Sequence, residues 1–571
     1  MKTSPSGSLE TVVVVTGRIL PIRQTSGMTS PEISTATLTG GRRWAALFFL
    51  AFGVAMIILD ATVVNVAIPT MVKDLNLTTS DAEWVNAAYS LTFASLLIFF
   101  GRLADRFGRR RLFVIGALLF AVASAFVAMS GTPNALIGSR ALQGIAAAML
   151  LPASLSVINA VFTGKSRAIA FAAWGATIGG VAALGPLIGG WLTVYASWHW
   201  AFLINIPIAI IVVIGVLAVV PETRDLIDQR GIDIPGTILA TLGLLGIVFA
   251  LVEGQRYGWI TSIGDFTLGT WTWPFSLSIV FVSAVIGVLA LVLLVVVEIK
   301  RLNAGKVVVL NLRLFKIKSF GAGNTVALVV SLGEFGLLFA IPLFLQSVRG
   351  YDALQSGYIL LALALGSFVA SGVGAQLAQR FGPVRVLQLG MVCEVVGIIG
   401  IGVVTSMTVT GWQMAPWLFI YGAGVGFATA QLTGVILSEV PVAESGQASA
   451  VQSTSRQVGA AIGTAIIGTT LVIGLSSGVS SNLEAQNVPP AVATQVADAV
   501  SASAGQAIPA LAAQPNGDVL VQGASEGFVD ATKTVAWVAA AFVFLGLLSS
   551  LLLPKNAARI LAEGYQPPPE S

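Results

Sequence analysis

The sequence is poor in the residues that carry most enzyme chemistry. Its 571 residues include one cysteine and one histidine, and only 10% are charged, whereas 56% are hydrophobic. A single cysteine, Cys393, excludes an internal disulfide. So few charges leave too little polar surface to cover a set of soluble domains, and most of the chain is therefore expected to lie in lipid.

Sequence motifs for catalysis are also absent. The chain has no GxSxG, no phosphate-binding GxxxxGK[ST] and no His and Cys cluster with metal-ligand spacing. We therefore expect no enzyme activity, no cofactor and no metal. Without a nucleotide site, an ion gradient is the expected energy source.

Long apolar runs dominate the rest of the sequence. A helix that crosses about 30 Å of hydrocarbon needs roughly 20 apolar residues, and these runs are continuous, which favours helices over the alternating strands of a barrel. The prediction is an all-α polytopic membrane protein with fourteen transmembrane helices. The predicted spans are 44–68, 82–101, 112–130, 134–159, 167–191, 198–220, 235–253, 275–298, 319–345, 356–376, 386–406, 413–438, 447–475 and 532–553.

Basic residues predict the orientation, because they collect on the cytoplasmic side of a membrane. With the N-terminus inside, 24 of the 30 Lys and Arg fall in cytoplasmic segments. Both termini are then cytoplasmic, and residues 476–530, which contain no Lys or Arg, form an external loop expected to be mobile or weakly helical. The same bias explains most of the net charge of +4, so no nucleic-acid partner is expected.

The chain repeats itself at an offset of 274 residues. This offset aligns GRLADRFGRRRLFVIG at 101–116 with AQLAQRFGPVRVLQLG at 375–390, and it places Asp60 on Glu334. The repeating unit has six helices. The predicted organisation is a disordered cytoplasmic tail, a six-helix half, a two-helix insertion, a second six-helix half and a second tail, at 1–43, 44–220, 221–318, 319–553 and 554–571. The first tail has no secretory signal, and Met28 is an alternative start.

Two six-helix halves in parallel repeat resemble the major facilitator superfamily, whose members hold substrate near midplane between the halves. Four motifs agree with this resemblance. They are the loop GRLADRFGRRR at 101–111, SRALQGIAAAMLLPAS at 139–154, GPLIGG at 185–190, and LDATVVNVAIPTM at 59–71, which resembles the fourteen-helix drug and proton antiporter subfamily. One departure is SWHWAFLINIPI at 197–208, where His199 replaces the arginine usual in the family.

Two acids lie deep within predicted spans. An ionised Asp60 would cost about 3 kcal/mol there, so it must be protonated, paired or facing water. It either handles a proton or cation or makes a structural hydrogen bond. Glu334 is its repeat-related partner, and together they predict a proton-coupling device facing one central cavity.

Other buried polar residues allow two interpretations. The resemblance implies a coupling role for Arg140; without the resemblance, a functional role is still favoured, with a structural ion pair as the alternative. Glu394 and Arg456 either act in function or pair with each other. The candidate substrate-binding residues are Asp60, Asn65, Gln143, Glu334, Glu394 and Arg456.

The loop 101–111 anchors the chain to the membrane through its arginines, which does not explain Gly101, Asp105 or Gly108. Asp105 is a candidate to cap a helix N-terminus across the halves, where a carboxylate is favoured. By resemblance, the loop latches the halves on the cytoplasmic side. The candidate latch residues are Gly101, Asp105, Arg106, Gly108, Arg109 and Arg111.

GPLIGG predicts a kinked helix with a smooth packing face, because Pro186 removes a helix hydrogen bond and glycines allow close approach. The resemblance to exporters gives a functional meaning to Gly185, Pro186, Gly189 and Gly190. The lone His199 is expected to be an interfacial belt residue rather than a proton relay.

The expected function is proton-driven export of small amphipathic or cationic compounds through the inner membrane of a bacterium. The expected partners are therefore the proton gradient, a small-molecule substrate and the lipid bilayer. Alternatives are export of one dedicated product, such as a siderophore, lipid or self-made antibiotic, and a non-transporting sensor on the same fold. The oligomeric state is open, and a monomer is compatible with the sequence.

Overall fold

A computed structural model describes residues 38, 40–77, 79–223, 233–268 and 271–554. The predicted tails and the alternative start at Met28 lie almost entirely outside these residues. Apart from one short antiparallel strand pair, β1 (Thr267–Leu268) with β2 (Trp271–Thr272), the regular structure described is helical. The first helices are α1 (Gly41–Leu75), α2 (Thr79–Phe107), α3 (Arg109–Ala128), α4 (Pro133–Val161), α5 (Gly164–Tyr195), α6 (Trp198–Leu203), α7 (Asn205–Val219), α8 (Ile234–Tyr257) and α9 (Ile279–Asn303).

The remaining helices follow the two-helix insertion. They are α10 (Lys318–Ser347), α11 (Ala353–Phe381), α12 (Pro383–Val404), α13 (Gly411–Ile436), α14 (Ser445–Ala485), α15 (Pro490–Ala502), α16 (Ile508–Leu511) and α17 (Gly517–Ser549). In the described residues, 12 helices are long and apolar enough to cross a membrane. Two more, α5 and α10, have 32 and 30 residues, so the structure is consistent with the fourteen predicted spans.

The sixth predicted span is broken into α6 and α7 at Ile204. Pro207 lies in the first turn of α7, where its missing N–H costs no hydrogen bond within that helix but prevents a continuous bond pattern back into α6. The break lies near the start of the span, and it places Asn205 at the first position of α7.

The internal repeat is visible in how the helices pack. In the first half α4 packs against α2 and α3, α1 packs against α5 and α7, and α3 packs against α7. The equivalent contacts in the second half are those of α13 with α11 and α12, of α10 with α14 and α17, and of α12 with α17. The same five contacts therefore recur in both halves.

The inserted helices α8 and α9 pack against each other, and α8 also contacts α2 of the first half and α14 of the second. Glycines allow this close packing, since a Cβ atom on Gly246 would lie 3.0 Å from the Cα atom of Gly287. Gln255 of α8 donates to Thr469 Oγ1 of α14 at 3.0 Å. The insertion thus rests on both halves.

The segment 476–530 differs from the mobile or weakly helical loop predicted above. α14 continues to Ala485, α17 begins at Gly517, and α15 and α16 lie between them. α15 buries Ala493, Val496, Ala497 and Val500, whose spacing forms one helical face. That face packs on α14, so the segment is a folded helical extension. The prediction was wrong because it weighed composition and overlooked this periodicity.

Candidate functional site

Asp60 lies in the middle of α1 at the centre of a cluster of polar side chains. It is 1% exposed. Arg140 Nη1 donates to its Oδ2 at 2.5 Å. Its Oδ1 accepts from Gln143 Nε2 at 3.0 Å and from Asn205 Nδ2 at 2.8 Å. Two helices, α4 and α7, thus converge on a carboxylate of α1 and supply one cation and two neutral donors.

The guanidinium group of Arg140 makes its other contacts within the same half of the protein. Its Nε donates to the Val85 carbonyl at 3.1 Å, its Nη1 also donates to Gln143 Oε1 at 2.7 Å, and its guanidinium lies 4.4 Å from the centre of the Tyr89 ring. A buried ion pair is tolerated only when further hydrogen bonds replace the lost water. The Asp60 and Arg140 pair meets that condition and is neutral overall.

Sequence reasoning missed two members of this cluster. Asn205 binds Asp60 directly, and Ser124 Oγ accepts from Gln143 Nε2 at 2.8 Å and from Asn205 Nδ2 at 3.2 Å. A signal for Asn205 was present, since a proline within an apolar run, here two residues after Asn205, suggests a helix break. Ser124 has no such signal, because a lone serine in a membrane helix is common.

The second half has its own acid and arginine. Glu334 of α10 is 3% exposed, and its Oε2 accepts from Arg456 Nη2 of α14 at 3.1 Å. The Tyr421 hydroxyl donates to the backbone carbonyl of Glu334 at 2.9 Å. Glu334 Oε1 has no hydrogen-bond partner in the described protein. Asp60 and Glu334 are therefore both buried beside arginines, but Glu334 is less fully satisfied.

Glu394 of α12 does not pair with Arg456, contrary to one of the two interpretations above. Arg456 instead bonds Glu334, because α14 packs directly on α10. Glu394 is 0% exposed, and neither of its carboxyl oxygens has a hydrogen-bond partner in the described protein. It still interacts electrostatically with both Glu334 and Arg456, so the three residues form one cluster.

Asp105 joins the two halves at one end of the bundle, here called the Asp105 end. Its Oδ1 accepts from the backbone N–H of Gly446 at 2.9 Å, and its Oδ2 accepts from that of Gln447 at 3.0 Å. Both amides belong to the first turn of α14, whose free N–H groups favour a carboxylate. The predicted cap across the halves is present in the structure.

Arg109 completes this contact. Its Nη2 donates to Asp105 Oδ1 at 2.9 Å and to the Val442 carbonyl at 2.7 Å. Asp105 is fully buried, and Arg109 is nearly so. Gly101 makes the close approach of α2 to α14 feasible, because a Cβ atom there would lie 2.7 Å from the Gly446 carbonyl oxygen.

Gly108 is required for a different reason. Its φ of 111° lies in the region that favours glycine, and it precedes the first residue of α3. Glu222, which sequence reasoning missed, caps that helix by accepting from the amides of Arg110 at 3.1 Å and Arg111 at 3.2 Å.

The remaining arginines of the loop fit the anchoring interpretation. The Arg111 side chain is 68% exposed, 3.6 Å from Glu222, and Arg106 lies over the Phe107 ring at 5.2 Å. Arg106 also lines a crevice beside Asp233 at the base of α8.

Three further hydrogen bonds tie other segments to the start of α14 or the turn before it. Asn159 Nδ2 donates to Ser445 Oγ at 2.8 Å, Arg167 Nη2 donates to the Ser438 carbonyl at 3.3 Å, and the Asn311 amide donates to Gln447 Oε1 at 2.9 Å. Asn311 belongs to the connection after the insertion. The first turn of α14 is therefore bound by α2, α4 and this connection together.

GPLIGG packs α5 against α1. A Cβ atom on Gly185 would collide with Thr62, and one on Gly189 would lie 3.1 Å from Val63 Cγ1. Gly190 is buried as well. The side chains of Pro186 and of the candidate Asn65 lie outside the part of the structure that is described.

His199 stacks on Trp198 at 3.9 Å, and Trp198 Nε1 donates to Asp74.

Among the described residues, no group of three or more His, Cys, Asp or Glu side chains is arranged to hold a metal ion. The chemistry available at the buried clusters is therefore that of carboxyl groups, amides and guanidinium groups. Such groups can exchange protons and attract cations, and they can form or break ion pairs as helices move.

Comparisons with known proteins identify the family of the chain. The family model of the Major Facilitator Superfamily matches residues 50–233 and 236–464. The chain is 32% identical to the probable actinorhodin transporter of Streptomyces coelicolor over 75% of this chain and 72% of that one. It is also 32% identical to the multidrug efflux pump LfrA of Mycolicibacterium smegmatis over 76% of this chain and 82% of that one.

A solved structure, that of the human organic anion transporter MFSD10, shares the fold with a TM-score of 0.56 at 12% identity, covering 90% of this chain and 100% of that one. Fold, motifs and relatives all describe a transporter and not an enzyme. The chain belongs to the major facilitator superfamily.

Proposed function

We propose that this protein exports small amphipathic or cationic compounds in exchange for protons. The observation that carries the proposal is a buried carboxyl beside an arginine in each half. The two carboxyls, those of Asp60 and Glu334, are at positions related by the internal repeat. Two such groups in a transporter fold provide sites that can take up a proton or a cation as their surroundings change.

The substrate class rests on the relatives. The names of the two relatives above refer to one antibiotic and to multidrug efflux, and other relatives are a puromycin resistance protein and a putative multidrug resistance protein. This range does not favour a single dedicated product. Membership of a transporter family likewise speaks against a non-transporting sensor.

The proposed cycle uses Asp60 and Glu334 as groups whose proton affinity depends on hydration. A carboxyl is more easily protonated when it is dry, and more easily ionised when it is wet or paired with a cation. Movement of α4 would separate Arg140 from Asp60 and break this ion pair. Gln143 and Arg456 orient the two carboxyls, and Glu334 Oε1 remains available for a cationic substrate.

The Asp105 contact is proposed to hold one end of the transporter closed. A buried carboxylate bonded to two helix amides is a strong contact while it is made, and separation of α2 from α14 would have to break both bonds. By the basic residues around it, this end faces the cytoplasm of a bacterial cell, with both chain termini on the same side. The chain is then a multi-pass protein of the cytoplasmic membrane.

Export can be tested in a bacterial host that lacks its own efflux pumps. Cells that express the chain should tolerate a chemically broad panel of lipophilic cations and neutral antibiotics better than cells that express Asp60→Asn at the same level. A protonophore should abolish dye efflux. Export that continues at the parental rate without a proton gradient would contradict the proposal.

The orientation leads to a labelling prediction. In a Cys393→Ser background, a cysteine at the exposed Lys306 should react with a membrane-impermeant maleimide only after the cells are opened. A cysteine at the exposed Glu484, which lies beyond the predicted span 447–475, is the matched control and should react in intact cells. External labelling at Lys306 would overturn the proposed orientation.

Glu334→Gln should weaken the binding of cationic substrates more than the binding of neutral ones. Loss of one charge-assisted contact, of about 1.5 kcal/mol, corresponds to about tenfold in affinity, whereas a neutral compound loses no ionic partner. Binding of tetraphenylphosphonium and of a neutral antibiotic to the purified protein measures the difference. Equal losses for both ligands would mean that Glu334 acts through structure and not through its charge.

A further inference from the structure

We infer that Glu394 is a proton-binding residue, and that in the conformation described here the cluster of Glu334, Glu394 and Arg456 holds one proton. The inference rests on the proposed function and deepens it, because it places the exchanged proton in the second half and on a residue outside the repeat-related pair.

The first step is the charge of the cluster. Glu334 is 3% exposed and Glu394 is 0% exposed. In the described part of the chain, the one ion pair that these two carboxyls make is that of Glu334 with Arg456. Two ionised carboxylates beside one guanidinium would leave a net negative charge in a dry site, which is strongly unfavourable. One bound proton makes the cluster neutral.

The second step locates that proton. Arg456 bonds Glu334 Oε2 at 3.1 Å, which stabilises Glu334 as the ionised member. Neither oxygen of Glu394 has a hydrogen-bond partner in the described protein, as expected for a group that does not carry a charge. Protonation of Glu394 therefore satisfies both observations.

Among the described residues, no second cation forms an ion pair with Glu334 or Glu394. α13 supplies Tyr421, whose hydroxyl donates to the Glu334 backbone, and Gly424, where a Cβ atom would lie 2.5 Å from Glu394 Cγ. α10 supplies Glu334, α14 supplies Arg456, and α12 itself supplies Cys393 next in sequence. The tight contact at Gly424 keeps the Glu394 carboxyl packed between α12 and α13.

The first half provides the contrast. Asp60 faces one arginine and two neutral donors, so that cluster is neutral with Asp60 ionised and needs no proton. Opening the second half to water would let the Glu394 proton leave as a hydronium ion, and the anion left behind would favour a monovalent cationic substrate. Release of one proton would then accompany uptake of one positive charge.

The test uses the full-length protein in lipid. Infrared spectra of the parent should contain the C=O absorption of a protonated carboxyl, which should vanish in Glu394→Gln and move in Glu394→Asp. Asp60→Asn should keep the absorption, and Asp530→Asn, at an exposed position, is the matched control. Exchange of sodium for potassium at constant pH should leave it unchanged.

A second readout is the pH dependence of tetraphenylphosphonium binding. Exchange for one proton changes the affinity by up to about tenfold per pH unit, and in Glu394→Gln the change should fall below about twofold. An absorption that survives Glu394→Gln, disappears in Asp60→Asn or responds to sodium would overturn the assignment. If the parent protein shows this absorption but does not transport substrate, the proposed function is refuted and the assignment of the proton to Glu394 stands.

Discussion

Replacement of Asp60 by asparagine is expected to reduce efflux at least about a hundredfold, to the background of the host. Asparagine keeps the size of the side chain and much of its hydrogen bonding to Gln143 and Asn205, but it leaves Arg140 as a buried cation without its anion. Loss of one partner of a buried pair costs about 3–5 kcal/mol, and 1.4 kcal/mol is a factor of ten. Dye efflux from energised cells measures the change.

The matched control is Asp74→Asn in the same helix. Asp74 is exposed near the end of α1, and its Oδ2 accepts from Trp198 Nε1 at 2.8 Å, a bond that an asparagine oxygen can keep. Its efflux should stay within about twofold of the parent, because exposed charges contribute little. Asp60→Glu should restore part of the activity. Parental efflux by Asp60→Asn, with the amount of inserted protein checked, would show that Asp60 is only structural.

Asp105→Asn is expected to lower transport at least about tenfold with little loss of inserted protein. The amide can accept from one helix N–H, but its own NH₂ group would oppose the other, and Arg109 would lose its ion pair. Each bond to a charged group contributes about 1.5–3 kcal/mol, so the closed population should fall about tenfold or more. Transport of a dye by reconstituted protein measures the effect.

Asp352→Asn tests whether any loss of a carboxylate cap has this result. Asp352 caps α11 within its own half, with its Oδ1 accepting from the Gln355 amide at 2.7 Å, and asparagine is an equally good cap. Its transport should match the parent. A cysteine placed near the Asp105 end should also become more reactive in Asp105→Asn. Unchanged transport and reactivity there would leave the loop as a membrane anchor only.

Local chemistry made part of the site predictable. Asp105 next to glycines in a basic loop predicts a contact with a helix N-terminus, and the structure contains that contact. The burial of Asp60 and Glu334 follows from their place within long apolar runs, because the middle of a helix that spans lipid is kept away from bulk water. An acid in such a run must be satisfied, but only the structure identifies Arg140 as the partner of Asp60.

The packing of the helices determines contacts that could not be predicted from the sequence. Arg456 has two acids within its own half, and only the packing of α14 on α10 selects Glu334 over Glu394. Asn205 reaches Asp60 because the helix breaks at Ile204, and Glu222 caps α3 from a segment more than a hundred residues away. The α15 face was predictable from its spacing, but a polar, low-charge composition outweighed it.

Proton movement in reconstituted vesicles tests the central claim most directly. Vesicles that contain the parent protein and a pH-sensitive dye should show a pH change when tetraphenylphosphonium is added on one side, with the proton moving opposite to the substrate. Asp60→Asn and Glu394→Gln should abolish that change, and Asp530→Asn should not. Substrate transport by the parent at full rate with no proton movement would contradict the account.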